Sequence, residues 1–478
     1  MPLNMPLLGK VVNLPGIGEF LLGLNVDFPR KMTLKALLYD KSLITRDYFD
    51  NVTRHHKIKG SNETSLNFLR KQFAFALLDD IRKLVAVTPE KFRDEYGIDA
   101  RVLHEVTEID LKNHRLCVRD IGGNRERPEA FDHLMMATGA IPFCPKVPGS
   151  NARGVYGLHY LQSGIRVRDV IDRENPKKAV VIGGGYIGLE MAEALIMRGL
   201  DVSLVEQAGQ VMNTLDPDMG ALVSDAVMRV GVKLFREETF QSVEVAGGRV
   251  QAVVTDHRTI PADIIILGLG VSPNTELAER AGISLGVQKA IKTSDRMQTN
   301  IPGVWAAGDC SESFHLVSRR PVHIALGTIA NKQGRVAGIN LGGRYATFPG
   351  VVGTAVSKIC NMEVARTGLQ EKEIKALGLE YVTGRIKTVT RASYYPHAGK
   401  ITVKALAEKG SGRLLGAQIV GVEGAAKRID VFATALHAGF SVEEMINLDL
   451  SYAPPYSTVW DPVHLAVRQA AAALSGRL

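Results

Sequence analysis

Residues 178–206 constrain this chain more than any other stretch. They read Lys-Ala-Val-Val-Ile-Gly-Gly-Gly-Tyr-Ile-Gly-Leu-Glu and continue to Asp-Val-Ser-Leu-Val-Glu. The β-branched run at 179–182 predicts a buried parallel strand. Gly183, Gly185 and Gly188 form Gly-x-Gly-x-x-Gly and lead into a helical pattern with Ile187, Met191 and Leu195 on one face. A second β-branched run, 202–205, ends in Glu206. Each glycine meets a separate physical need. Gly183 allows the tight turn, Gly185 lets the backbone approach a pyrophosphate closely, and Gly188 lets helix pack on strand. The helix N-terminus then faces the phosphates. Glu206 lies 18 residues after Gly188, where an acid accepts hydrogen bonds from an adenosine ribose and repels a 2′-phosphate. The pattern predicts a dinucleotide site that favours NADH, with NADPH possible.

A chain of 478 residues exceeds one core and suggests about three domains. The excess of 58 Lys+Arg over 50 Asp+Glu is mild; it suits anionic ligands, and no basic run with interleaved aromatics points to nucleic acid. The cysteines, Cys117, Cys144, Cys310 and Cys360, form no Cys-x-x-Cys and no metal cluster. So few in so long a chain suit a reducing cytoplasm. Residues 1–26 are fairly apolar, but Pro15, several glycines and Glu19 break them, so neither a signal peptide nor a membrane span is expected.

Residues 1–85 are the least readable. Residues 10–18 have the outline of a strand and glycine turn, and Leu37-Leu-Tyr-Asp40 that of a second strand ending in an acid. Pro15 interrupts the first, and the third fingerprint glycine is missing; a leader without a nucleotide role fits the stretch better. A helix is expected over 64–87. From there the signals sharpen. Thr88-Pro-Glu reads as a capped helix start with Pro89 at its first position. Residues 100–118 read as a hairpin around Lys112-Asn-His, and residues 131–136 as a strand stopping at Ala137-Thr-Gly139. Prolines at 142, 145 and 148 mark a linker. A helix is expected over 219–230. The apolar run 264–267 predicts a central strand ending at Gly268 and Gly270, the strand end at which doubly wound folds bind ligands. Residues 299–309 predict a turn and short strand ending at Gly308-Asp309. A helix is expected from His323, with Ala325 in its first turn facing an anion or electron-rich ring. β-type runs at 351–359, 381–389, 401–406 and 414–420, then helices at 425–438 and 442–448, predict an appended α+β module.

Residues 183–190, Ala137-Thr-Gly139, residues 299–309, and Lys427-Arg-Ile-Asp with Tyr452-Ala-Pro-Pro-Tyr456 together resemble the pyridine nucleotide-disulfide oxidoreductases. The resemblance is to their coenzyme A-disulfide reductase, NADH oxidase and NAD(P)H sulfur reductase branch, and it spans residues 86–467. It implies an α/β fold with two Rossmann-like three-layer domains, for FAD and NAD, and a C-terminal α+β dimerisation domain. The expected division is 1–85 as a degraded or replaced half of the FAD domain, 86–150 and 280–345 as its readable parts, 151–279 for NAD(P)H, 346–467 for dimerisation and 468–478 as a tail. Thr138, Gly139, Gly308 and Asp309 would lie along FAD, with Asp309 on its ribityl chain. Tyr186 would cover the flavin's nicotinamide face and Glu190 stand near it, unless Glu190 is a plain surface acid of the helix. Tyr452 and Tyr456 would line the thiol site of a partner subunit or pack at a dimer interface.

The resemblance also implies a redox cysteine near residue 40, whereas the first cysteine here is Cys117. A thiolate is required to attack a disulfide or polysulfide, and neither Cys310 nor Cys144 has an adjacent cysteine or activating base. Residues 1–85 are therefore expected to be a diverged or frame-shifted replacement, with the family's frame resuming near 79–83. The expected function is an FAD-dependent oxidoreductase that passes hydride from NADH to FAD and on to coenzyme A disulfide, persulfide or sulfur, impaired by the missing cysteine. The alternatives are an NADH oxidase or diaphorase with oxygen as acceptor, and a non-catalytic NADH-binding dimer.

Overall fold

The computed structural model describes residues 87–476; the readings made for residues 10–40, and nearly all of the helix expected over 64–87, lie outside them. The chain divides into two compact units, residues 1–104 and 105–478. In the first, the described residues hold the helix Pro89–Tyr96. Thr88 caps it by accepting the Lys91 N–H at 3.3 Å, Pro89 occupies its first turn, and Gly97 closes it with φ 66°. This is the capped start its sequence predicts.

The second unit is built from alternating patterns that sort side chains to two faces. Its central sheet runs Val155–Gly157, Ile264–Leu267, Lys178–Ile182, Asp201–Glu206, Lys233–Arg236 in spatial order, all parallel. Ala179, Val181, Leu204 and Ile266 turn to a helical layer that includes Leu189 and Leu195 of helix Tyr186–Met197 and Met219 and Val223 of helix Pro217–Arg229. Val180, Ile182, Val205 and Ile265 turn the other way and pack on Val243, Val250 and Val253 of a small antiparallel sheet, Phe240–Ala246, Arg249–Thr255, Thr259–Pro261. The period of two in a fully buried strand thus makes the three layers.

Two segments join this inserted domain to the rest. Strands Ala140–Pro142 and Val271–Pro273, one leading in and one leading out, pair antiparallel as a two-stranded ribbon. Beyond the ribbon, Leu134–Met136 and Val304–Ala306 pair in parallel. The hairpin expected over 100–118 is present as His104–Asp110 and Arg115–Asp120, with a third strand, Arg125–Ala130, that the sequence reading missed. Its side chains are nearly all exposed, so it carries no apolar alternation to read.

The C-terminal module is a five-stranded antiparallel sheet in the order Ala355–Ile359, Met362–Gly368, Leu414–Gly421, Lys400–Glu408, Tyr381–Val389. Helices Ala425–Ala438, Val442–Ile446 and Pro462–Leu474 cover it, with Phe432 fully buried between. The last helix crosses residue 467, where a tail was expected to begin, because Val467 and Ala470 are part of the module's core. Ile359, Val364 and Val420 of this sheet also pack with Leu189 and Met219, so the module shares a core with the inserted domain. No helix among the described residues is long and apolar enough to cross a membrane.

Candidate functional site

The turn after strand Lys178–Ile182 is as tight as its glycines predict. Gly183 has φ 97°, and a Cβ there would stand 2.6 Å from the Gly268 carbonyl oxygen. At Gly188 a Cβ would stand 1.9 Å from the Gly183 carbonyl oxygen, which leaves room for hydrogen alone. Gly185 differs: a Cβ there would meet nothing within 4 Å. It is the N-cap of helix Tyr186–Met197, and no side chain caps that first turn. Its N–H groups therefore await an acceptor on an open side of the turn, as an anion cradle requires.

Glu206 is buried at the end of its strand, 9% exposed. Its Oε2 accepts the Gly184 N–H at 2.6 Å, and its Oε1 accepts the Ala208 N–H at 2.8 Å and the Asn213 amide at 3.4 Å. The carboxylate braces the fingerprint turn through charge-assisted bonds. A carboxylate has about four lone-pair sites, so Glu206 keeps acceptor capacity beyond these bonds.

On the helix, Tyr186 and Ile187 are half-buried. The Tyr186 hydroxyl accepts the Thr214 hydroxyl at 3.4 Å. Burial pushes the Tyr186 pKa up, partly offset by the Thr214 bond and the Arg366 charge. Glu190, one turn on, is exposed and accepts the hydroxyl of Ser357 in the C-terminal sheet at 2.6 Å. Glu193 follows the same route, accepting the Cys360 N–H at 2.7 Å.

A second group of expected residues gathers at the connecting ribbon. Gly270 has φ 83°, and its carbonyl accepts the Phe143 N–H at 2.9 Å. The Thr138 hydroxyl donates to the Asn274 carbonyl at 2.6 Å, and the Asn274 N–H donates to the Gly139 carbonyl at 2.9 Å. At the end of strand Val304–Ala306, the Gly308 N–H donates to Gln333 Oε1 at 2.8 Å. Gln333 is fully buried and also donates to the Glu312 carbonyl and the Ser313 hydroxyl at 3.2 and 3.0 Å. It fixes the Gly308-Asp309 loop and was missed from sequence. The available signal was a polar residue in register with the buried Ile329, Val336 and Ala337.

Asp309 supplies the test for FAD. Its Oδ1 is buried and has no hydrogen-bond partner among the described residues, a costly state for a carboxylate unless a further donor arrives. A polyhydroxyl chain is such a donor, so the residues present fit the ribityl part of FAD.

The helix expected from His323 begins four residues later, at Gly327. Strand Arg320–Val322 carries the chain extended, and the His323 ring, 2.8 Å from the Asp309 carbonyl, holds it so; Ala325 lies in this extended run, not in a helical turn. Tyr452 and Tyr456 are 45% and 78% exposed. A bond with Tyr394 raises the Tyr452 pKa. Cys310 is wholly buried with its Sγ 3.4 Å from the Ala307 carbonyl, the setting of an inert core thiol, while Cys144 is exposed.

A fold of this design with these two glycine-bearing loops has close relatives. The sequence profile described as pyridine nucleotide-disulphide oxidoreductase matches residues 50–334, and that of the family's dimerisation domain matches residues 354–462. The chain belongs to the pyridine nucleotide-disulphide oxidoreductase family. The family match starts at residue 50, ahead of residue 86, where the motifs become readable. The chain is 38% identical over 405 residues to an NADH oxidase of Methanocaldococcus jannaschii, covering 84% of this chain and 89% of that protein. It is 37% identical over 387 residues to an NAD(P)H coenzyme A polysulfide/persulfide reductase of Pyrococcus horikoshii, covering 81% and 85%. Among solved structures it resembles reduced CoADR-RHD of Bacillus anthracis, with a TM-score of 0.81 at 36% identity over 84% of this chain and 72% of that one. An NAD-dependent persulfide reductase of A. fulgidus gives a TM-score of 0.79 at 37% identity over 81% and 71%. Membership makes this family member an oxidoreductase that uses FAD and a nicotinamide dinucleotide.

Proposed function

We propose that the chain takes hydride from NADH, held between the fingerprint turn and Glu206, and delivers the electrons to a sulfur acceptor of the coenzyme A disulfide or persulfide class. The observation that carries the nucleotide half is the open, uncapped helix start at Gly185 beside the Glu206 carboxylate. The helix N–H groups bind the pyrophosphate, and Glu206 accepts the ribose hydroxyls and disfavours a 2′-phosphate. Tyr186 shields the space beside the turn and must swing aside for a nicotinamide ring. Asp309 accepts hydroxyls of the FAD side chain, and Thr138-Gly139 line the neighbouring ribbon. FAD, when bound, supplies the two-electron acceptor that no protein side chain provides.

The names of the Pyrococcus horikoshii and A. fulgidus relatives support the sulfur acceptor. One observation favours a second reading. Sulfur transfer needs a thiolate, yet the first cysteine is Cys117, and Cys310 is an inert core thiol. An NADH oxidase or diaphorase needs none, and the Methanocaldococcus jannaschii relative carries that name. The module matched by the dimerisation profile supports a homodimer, with Tyr452 and Tyr456 at the partner's thiol site; so few cysteines in so long a chain suit a reducing cytoplasm.

The test is a visible spectrum of the purified protein before and after anaerobic NADH. Flavin bands that bleach are expected; a colourless protein that takes up no added FAD overturns both readings. Reoxidation by coenzyme A disulfide supports the sulfur acceptor, and reoxidation by oxygen alone supports the second reading.

A further inference from the structure

The loop between strand Asp201–Glu206 and helix Pro217–Arg229 has no assigned role, yet it touches three parts of the dinucleotide site. The Met212 N–H donates to the Gly184 carbonyl at 2.8 Å, the Asn213 amide reaches Glu206 at 3.4 Å, and the Thr214 hydroxyl meets Tyr186 at 3.4 Å. Met212 is also held in the left-handed region, φ 53°, while almost wholly buried. Such a conformation persists where surrounding contacts over-determine it.

Those contacts come from the C-terminal module. Arg366 donates to the Thr214 carbonyl at 3.3 Å. Gln370 and Lys372 donate to the Asn213 carbonyl at 3.1 and 2.8 Å. Gln418 accepts the Asp216 N–H at 2.8 Å, and the Glu371 N–H donates to Asp216 Oδ1 at 2.9 Å. Beneath them lies Lys404, 3% exposed, with its ammonium 3.0 Å from Asp216, 2.8 Å from Asp218 and 2.7 Å from Glu371. A buried charge cluster is a weak source of stability relative to apolar packing. It does, however, fix the place of its members, since a shifted carboxylate leaves a buried ammonium short of a partner.

We infer that Arg366 and Lys404 are positioning residues for NADH binding: through the loop Asn213–Thr214–Asp216 they set the places of Tyr186 and Glu206, so the C-terminal module completes the NADH site. This rests on the reading that NADH occupies the fingerprint turn. The module's sharing of a core with helices Tyr186–Met197 and Pro217–Arg229 gives the linkage a rigid backing.

The experiment is calorimetric titration of the full-length protein with NAD+, which fills the same turn but has no hydride to pass to flavin, for the wild type, Arg366→Lys, Lys404→Met, Thr214→Val and the double variant Arg366→Lys/Thr214→Val, with far-UV circular dichroism of each. Arg366→Lys and Lys404→Met are expected to weaken NAD+ binding roughly tenfold with unchanged dichroism. Thr214→Val cuts the link to Tyr186, so adding Arg366→Lys to it is expected to cost less than Arg366→Lys costs alone. Unchanged affinity in a folded Arg366→Lys protein, or full additivity in the double variant, overturns the inference. Should Lys404→Met fail to fold, the Arg366 and Thr214 cycle decides alone. A wild-type protein that binds neither NAD+ nor NADH overturns the reading of the fingerprint turn, and this inference with it.

Discussion

Asp309 carries a buried carboxylate oxygen that the described residues leave without a donor. Gln333 and His323 hold the backbone around it. The carboxylate is thus kept where it harms the isolated chain and serves a ligand. Asp309→Leu should therefore have two effects of opposite sign. Flavin uptake, followed by visible absorbance on titration with FAD, should weaken at least roughly tenfold with the lost hydroxyl acceptor. The flavin-free protein should melt no lower than the wild type, and gain up to about 2 kcal/mol from removal of an unpaired buried polar group.

At the scale of elements, the joint between strand Lys178–Ile182 and helix Tyr186–Met197 depends on the absence of one methyl. Gly188→Ala forces a Cβ to 1.9 Å from the Gly183 carbonyl oxygen. Helix and strand must part, at about 2–4 kcal/mol of stability by denaturant titration, and the turn at Gly183–Gly185 opens with them. This joint was legible in the sequence because periodicity and glycine spacing both mark it. So were strand Tyr381–Val389 and helix Ala425–Ala438, which keep their expected limits. What stayed hidden is held by bonds without a period. Strand Arg125–Ala130 is an exposed partner with no apolar face, and helix Gly327–Leu341 starts late because an imidazole reaches a distant carbonyl. Glu206 was visible as an acid for a ribose; its bonds to the Gly184 and Ala208 N–H groups were not. The clamp on residues 213–216 comes from residues more than 150 positions away, and no local pattern announces it.

Over the whole molecule, the Lys404 cluster ties two domains and responds to pH. Burial alone pulls a lysine toward deprotonation, but the bonds to Asp218, Glu371 and Asp216 outweigh it and raise the pKa above the usual 10.5. A group with a folded pKa above its unfolded one stabilises fully below the unfolded value, and that contribution is lost as pH rises through the folded value. Stability measured from about pH 9 to 12 should fall more steeply in the wild type than in Lys404→Met; equal slopes would show that Lys404 does not contribute. The ribbon of Ala140–Pro142 and Val271–Pro273 has a different consequence for the molecule. Because both crossings run side by side, the host chain meets the whole nucleotide domain as a single hairpin tip. Its closure entropy is met by the guest's own core, so the length of the insert weighs little on the host so long as its two ends emerge one strand spacing apart. Backbone bonds forbid the two strands to slide past each other but let them twist as a pair. The ribbon alone then leaves one axis of twist open, and the core shared with the C-terminal module, with the bonds to residues 213–216, is what fixes the guest's orientation about it.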